Sequence, residues 1–115
     1  MGQTQELGKD AETRAEAMLA REGLQTVARN YRCRGGEIDL IMRDSAHLVF
    51  VEVRLRSHSS YGGALSSVGT KKQQRLIIAA RHYLMTSNWT GPCRFDVVAF
   101  EQDRERHWIR NAFGA

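Results

Sequence analysis

The stretch RGGEIDLIMRDSAHLVFVEVRLR, residues 34 to 56, holds two apolar runs, one with Glu37 and Asp39 and the other with Glu52 and Arg54. Carboxylates grouped beside a guanidinium suit two kinds of chemistry. They can form a polar network on the open face of a sheet, with Arg54 as the neutralising partner. Alternatively, Asp39 and Glu52 can hold a hard divalent cation, Mg²⁺ or Mn²⁺, together with waters and a phosphate oxygen. Such an ion polarises a phosphoryl group and lowers the pKa of bound water, while a neighbouring cationic side chain stabilises the developing charge.

The elements needed to bring these groups together can be placed by pattern. Asp44 to His47 forms a hairpin loop, with Asp44 a favoured first residue of a type I turn. The flanking strands, Glu37–Arg43 and Leu48–Arg56, then pair with Arg43 opposite Leu48, Met42 opposite Val49 and Leu40 opposite Val51. On the same count Ile38 faces Val53, Asp39 faces Glu52 and Glu37 faces Arg54. Strict alternation predicts one apolar face, packed on a helix, and an opposite face that gathers Glu37, Asp39, Glu52, Arg54 and Arg56. Directly opposed carboxylates repel by about 0.2–1 kcal/mol, so a counter-charge is expected.

Around this hairpin, residues 5 to 22 read as a helix with Leu7, Ala11, Ala15, Met18 and Leu19 at helical spacing and Gly23 as its stop. Leu24–Tyr31 is expected to be a first strand, with Val27 its clearest core residue. Residues 57 to 69, rich in Ser and Gly, read as a loop. Thr70 and Gln73 suggest a capping box opening a second helix that buries Leu76, Ile77, Ala80, Tyr83 and Leu84 and ends near Ser87 or Asn88. Phe95–Phe100 is expected as a strand parallel to the one before the crossover, and His107–Phe113 as an edge segment. The whole reads as one α/β domain, residues 1 to 115, built as a mixed β-sheet covered by helices.

Charge is segregated along the chain. No Asp or Glu occurs from Val53 to Phe95, where Arg54, Arg56, Lys71, Lys72, Arg75, Arg81 and Arg94 give +7. The remainder holds 10 basic and 13 acidic residues. With a pI of about 9.5, this segregation points to a polyanionic partner, most simply nucleic acid. Lys71, Lys72, Gln73 and Arg75, at the start of the second helix, and Arg56 are the candidate phosphate contacts. No apolar run approaches the roughly 18 residues of a membrane span. The N-terminal MGQTQELGKDAE is polar and mixed in charge, unlike a secretory signal, so a cytoplasmic location with free thiols at Cys33 and Cys93 is expected.

At Asp39, Glu52 and Arg54 the sequence resembles the PD-(D/E)xK nuclease superfamily, with Arg54 at the place of the superfamily's lysine. More narrowly, it resembles the YraN family of small bacterial proteins with an endonuclease-like fold. The resemblance covers nearly the whole chain, through Gly8, Glu12, Ala15, Leu19, Gly23, Asn30, GEIDLI, FVEVR, YGGA, Lys72, Gln73 and CRFDVVAF. It implies a restriction endonuclease-like fold and metal-dependent cleavage of structured DNA. By comparison with related resolvase-like nucleases it also implies a third metal carboxylate at Glu12, with Glu16 as the rival position, and a possible homodimer. Arginine at position 54 keeps its charge and cannot serve as a base, although it can fix a phosphate.

Two further functions fit the same residues: a non-catalytic nucleic-acid-binding module, and a protein-interaction domain whose charged hairpin docks a basic partner. Trp89 and Trp108 are expected to pack against the core, the four histidines to lie at the surface, and Asp96 to form a structural ion pair with Arg94.

Overall fold

In the computed structural model the described residues are 2–56, 68–101 and 106–114, the side chains of residues 2–8 and 56 excepted. Helix α1 (Gly2–Arg21) is followed by strands β1 (Gln25–Cys33), β2 (Gly36–Arg43) and β3 (Leu48–Arg56). Helix α2 (Thr70–Thr86) then leads to β4 (Cys93–Glu101) and β5 (Arg106–Phe113). The five strands lie in the order of the sequence, antiparallel except for β3 and β4, which run parallel. This is the expected mixed sheet flanked by helices.

One helix covers each face. Ala11, Ala15 and Leu19, four residues apart on α1, pack on Leu40, Met42, Val49, Val51, Val98 and Phe100. On the other side Leu76, Ala79 and Ala80 of α2 pack on Ile38, Ile41, Phe50, Phe95 and Val97. The sheet is therefore apolar on both sides, and the expectation of one apolar and one charged face is corrected. Ile41, Leu48 and Phe50, on the side assigned to the charges, are large side chains that need burial and receive it from α2. The carboxylates are confined to one end of the hairpin.

Helix α1 closes as expected at Gly23, whose φ of +96° permits the left-handed turn. The Gly23 N–H donates to Ala20 O and the Leu24 N–H to Leu19 O, each near 3 Å, the paired bonds of a Schellman ending. The start of α2 differs from the capping box expected. Gly69 is its N-cap and makes no side-chain cap bond. Instead, the Gln73 carboxamide donates to Val68 O at 2.9 Å, which ties the helix to the buried Val68.

Helix α2 approaches β2 closely because Gly36 has no side chain. A Cβ there would meet the backbone of α2, Arg75 O at 2.4 Å and Ala79 N at 2.8 Å. Val27 is a second correction. A β-bulge between Thr26 and Ala28 leaves Val27 40% exposed, while Ala28 and Tyr31 turn inward beneath α2. Trp89 and Trp108 pack against the core, Arg94 Nε donates to Asp96 at 3.0 Å, and both cysteines are free thiols, all as expected.

Candidate functional site

The β2–β3 hairpin begins in the expected register. Asp44 Oδ1 accepts the Ala46 and His47 N–H groups at 2.8 and 2.6 Å, which fixes the turn and, with the Arg94 guanidinium, holds the Asp44 carboxyl below its ordinary range. The strands then pair Arg43 with Leu48 through Leu40 with Val51. There the ladder ends. Beyond it the Val53 N–H donates to Asp39 Oδ2 at 2.8 Å, so a side-chain carboxylate replaces the partner strand's carbonyl. The expected backbone pairing of Asp39 with Glu52 and of Glu37 with Arg54 is corrected accordingly.

Asp39 and Glu52 nevertheless come together, their carboxyls close enough to interact directly. Glu52 is only 2% exposed. Burial first, and the Asp39 charge second, push its pKa up to about 8. Its Oε2 faces Arg54 Nη1 at 3.4 Å and Lys72 Nζ at 3.7 Å. Its Oε1 is buried with no hydrogen-bond partner, the one such side-chain oxygen or nitrogen among the described residues. An unsatisfied buried acceptor costs about 1–3 kcal/mol, more if charged, so this oxygen calls for an explanation.

Glu12 on α1 lies beside Asp39 and Asn30, and burial followed by the Asp39 charge raises its pKa. Glu16 is occupied elsewhere. It takes Arg29 at 2.6 and 2.9 Å and the Thr26 hydroxyl at 2.5 Å, and the Arg29 bonds hold its carboxyl below the ordinary range. Of the two helix carboxylates, Glu12 is thus the one brought to the pair.

Glu37 has a different partner from the one expected. Arg75 Nη2 lies 2.8 Å from its Oε1 and lowers its pKa. Lys72, a candidate phosphate contact, reaches inward to Glu52, because Gly36 lets α2 lie directly on β2. Lys71 is exposed, and Gln73 is engaged with Val68. The side chain of Arg56 and residues 57–67 lie outside the described residues.

Among the described residues, no three His, Cys, Asp or Glu side chains are grouped so that together they could hold a metal ion. Asp39 touches both Glu12 and Glu52, so the three carboxyls form a chain with Asp39 at its centre. The donors are hard oxygens, and one of them, Glu52 Oε1, is buried and unsatisfied. That combination fits Mg²⁺ or Mn²⁺, which is commonly held by one or two carboxylates and completed by water and phosphate. Sequence reasoning missed Asn30 as a contact of Glu12 and the Val53 N–H as a partner of Asp39. A left-handed backbone at Asn30 and a side chain in place of a ladder bond leave no mark on hydrophobic periodicity.

A mixed five-stranded sheet between two helices, with carboxylates at the open end of its β2–β3 hairpin, defines a class of α/β protein layered helix, sheet, helix. Within it, the chain belongs to the uncharacterised protein family UPF0102, the YraN family, whose sequence model matches residues 11–100. It is 54% identical over 108 residues to a UPF0102 protein of Janthinobacterium sp. (strain Marseille), covering 94% of this chain and 87% of that one. It is 57% identical over 109 residues to a UPF0102 protein of Cupriavidus taiwanensis, covering 94% and 82%. A UPF0102 protein of Aeromonas hydrophila is 55% identical over 109 residues, covering 92% and 83%. Among the described residues no helix is long and apolar enough to cross a membrane.

Proposed function

We propose that this protein is a metal-dependent endonuclease of the resolvase type, cleaving phosphodiester bonds in structured DNA. The observation that carries this reading is the buried, unpartnered Oε1 of Glu52 beside the Asp39 carboxyl. Asp39 and Glu52 would hold Mg²⁺ or Mn²⁺, with Glu12 completing the acidic cluster. When bound, the ion supplies a Lewis acid and a more acidic water.

The chain's own groups do the rest. Asp39 is held in place by the Val53 N–H, so one of its oxygens is fixed before any ligand arrives. Arg54 and Lys72 place two positive charges at Glu52 Oε2, where they can also take a non-bridging phosphate oxygen. Lys72 supplies the amine that Arg54, in the lysine position of the superfamily pattern, does not. Arg75, held by Glu37, and the exposed Lys71 extend the positive surface along the first turn of α2.

Purified protein incubated with plasmid, four-way junction and RNA substrates, with Mg²⁺ or Mn²⁺ and with EDTA, tests the reading. Metal-dependent cleavage that is lost in the Asp39→Asn, Glu52→Gln double variant supports it. Cleavage that survives in the double variant assigns the activity to a contaminant or another site. Nucleic-acid binding without cleavage of any substrate makes the protein a binding module of nuclease fold, a reading favoured by the permanent charge of Arg54.

A further inference from the structure

Strands β1 and β2 exchange faces at a single rung. Arg29 pairs with Leu40, and both lie on the α1 side, Arg29 through Glu16 and Leu40 among the α1 core residues. Two residues on, Tyr31 pairs with Ile38, and both lie on the α2 side. In a regular strand, residues two apart share a face. Here they do not, in either strand.

Between these rungs stand Asn30 and Asp39. Asn30 has φ +51°, the left-handed region that a residue with a side chain enters uncommonly and Asn more readily than most. The exchange frees Asp39 from alternation, and its carboxyl lies against the β3 backbone at Val53. The Asn30 carboxamide meets the Glu12 carboxyl, which in turn meets Asp39. Glu12 and Asn30 also share the lining of an open cavity of about 190 Å³ between α1 and β1.

We infer that Asn30 is a positioning residue for the acidic cluster: its left-handed backbone aims Asp39, and its side chain sets Glu12 against it. This rests on the cation-binding reading of the same site. Glycine retains the backbone conformation and removes the carboxamide, whereas alanine opposes both functions. The two roles can therefore be separated.

The experiment uses the full chain, with Mn²⁺ alone as the probe, followed by calorimetry or electron paramagnetic resonance. Amide hydrogen exchange at Val53 is measured in the metal-free protein. Asn30→Gly should leave Val53 protected and weaken Mn²⁺ binding about 10-fold, in the range found for lost outer-shell partners of metal ligands. In a Glu12→Gln background the same change should have no further effect on Mn²⁺, because Asn30 acts through Glu12. Asn30→Ala should speed Val53 exchange at least 10-fold. Wild-type Mn²⁺ affinity in Asn30→Gly, an equal loss with Glu12 already replaced, or undisturbed Val53 protection in Asn30→Ala would each overturn the inference. Failure of the wild-type protein to bind Mn²⁺ is seen before any variant is made; it overturns the cation reading itself, and the role of Asn30 with it.

Discussion

Val53 and Asp39 are joined by a 2.8 Å bond from the main-chain N–H of one to the side-chain Oδ2 of the other, at the place where the β2–β3 ladder stops. One carboxylate thereby terminates the hairpin and forms part of the candidate site. The two roles separate on substitution. Asp39→Asn keeps an acceptor for Val53 and relieves the repulsion from Glu52, so stability should hold or rise slightly while metal-dependent cleavage disappears. Asp39→Ala removes the acceptor and should cost about 1–3 kcal/mol. Urea denaturation beside a cleavage assay checks both, and equal stability of the Asn and Ala variants would refute the structural role.

Glu52 gives the protein a distinctive pH dependence. Its folded pKa of about 8 lies above the ordinary 4.5, so between these values the folded state binds more protons than the unfolded chain. Its contribution to stability is fully present below pH 4.5 and is lost progressively as pH rises to about 8. Glu37 and Asp44, both lowered, act in the opposite sense, with stability lost as pH falls through the acid range. Glu52→Gln should therefore flatten the decline between pH 5 and 8, measured as Tm. Mg²⁺ should raise the wild-type Tm more at pH 8 than at pH 5, since an ionised Glu52 is what a cation prefers.

Arg54 and Lys72 share one oxygen of Glu52. Each is partly exposed, so solvent screens the two pairs and either loss alone should be modest. Arg54→Lys should retain cleavage, because charge at that position is preserved. Arg54→Ala and Lys72→Met should each lower activity, and together should destabilise the metal-free protein above pH 7 by more than the sum of the single effects. Strict additivity in a double-mutant cycle would show that the two cations act independently.

Nucleic-acid affinity should report the charges at the start of α2. Neutralising Lys71, Lys72 and Arg75 together should reduce the log–log salt slope by about 3, and Lys71→Gln alone by about 1. Salt titrations of binding to a junction substrate measure this. An unchanged slope would show that these residues do not contact phosphate.

Gly36→Ala tests how α2 is seated. The added methyl would press on helix backbone, which cannot move aside as a side-chain tip can. The expected cost is about 1–3 kcal/mol by chemical denaturation. Because the helix carries Lys72, its contact with Glu52 should loosen as well, visible as weaker Mg²⁺ stabilisation at pH 8.

The sequence by itself determined the elements, the β2–β3 turn with its register from Arg43–Leu48 to Leu40–Val51, and the parallel return of β4 after the crossover. These follow from local rules: helical spacing of Ala11, Ala15 and Leu19, the Asp44 turn, and alternation through Leu40–Arg43 and Leu48–Val51. What only the tertiary structure decided lies where a residue's neighbour comes from a distant part of the chain. Alternation cannot show that a left-handed Asn30 reverses the faces of β1 and β2, which puts Ile38 under α2 and Leu40 under α1. Spacing on α1 cannot choose Glu12 over Glu16, because Arg29 and Thr26, the partners that take Glu16, are on β1. Nor can a basic run show that Lys72 turns inward, since that depends on a missing side chain at Gly36, which brings the helix backbone against the strand.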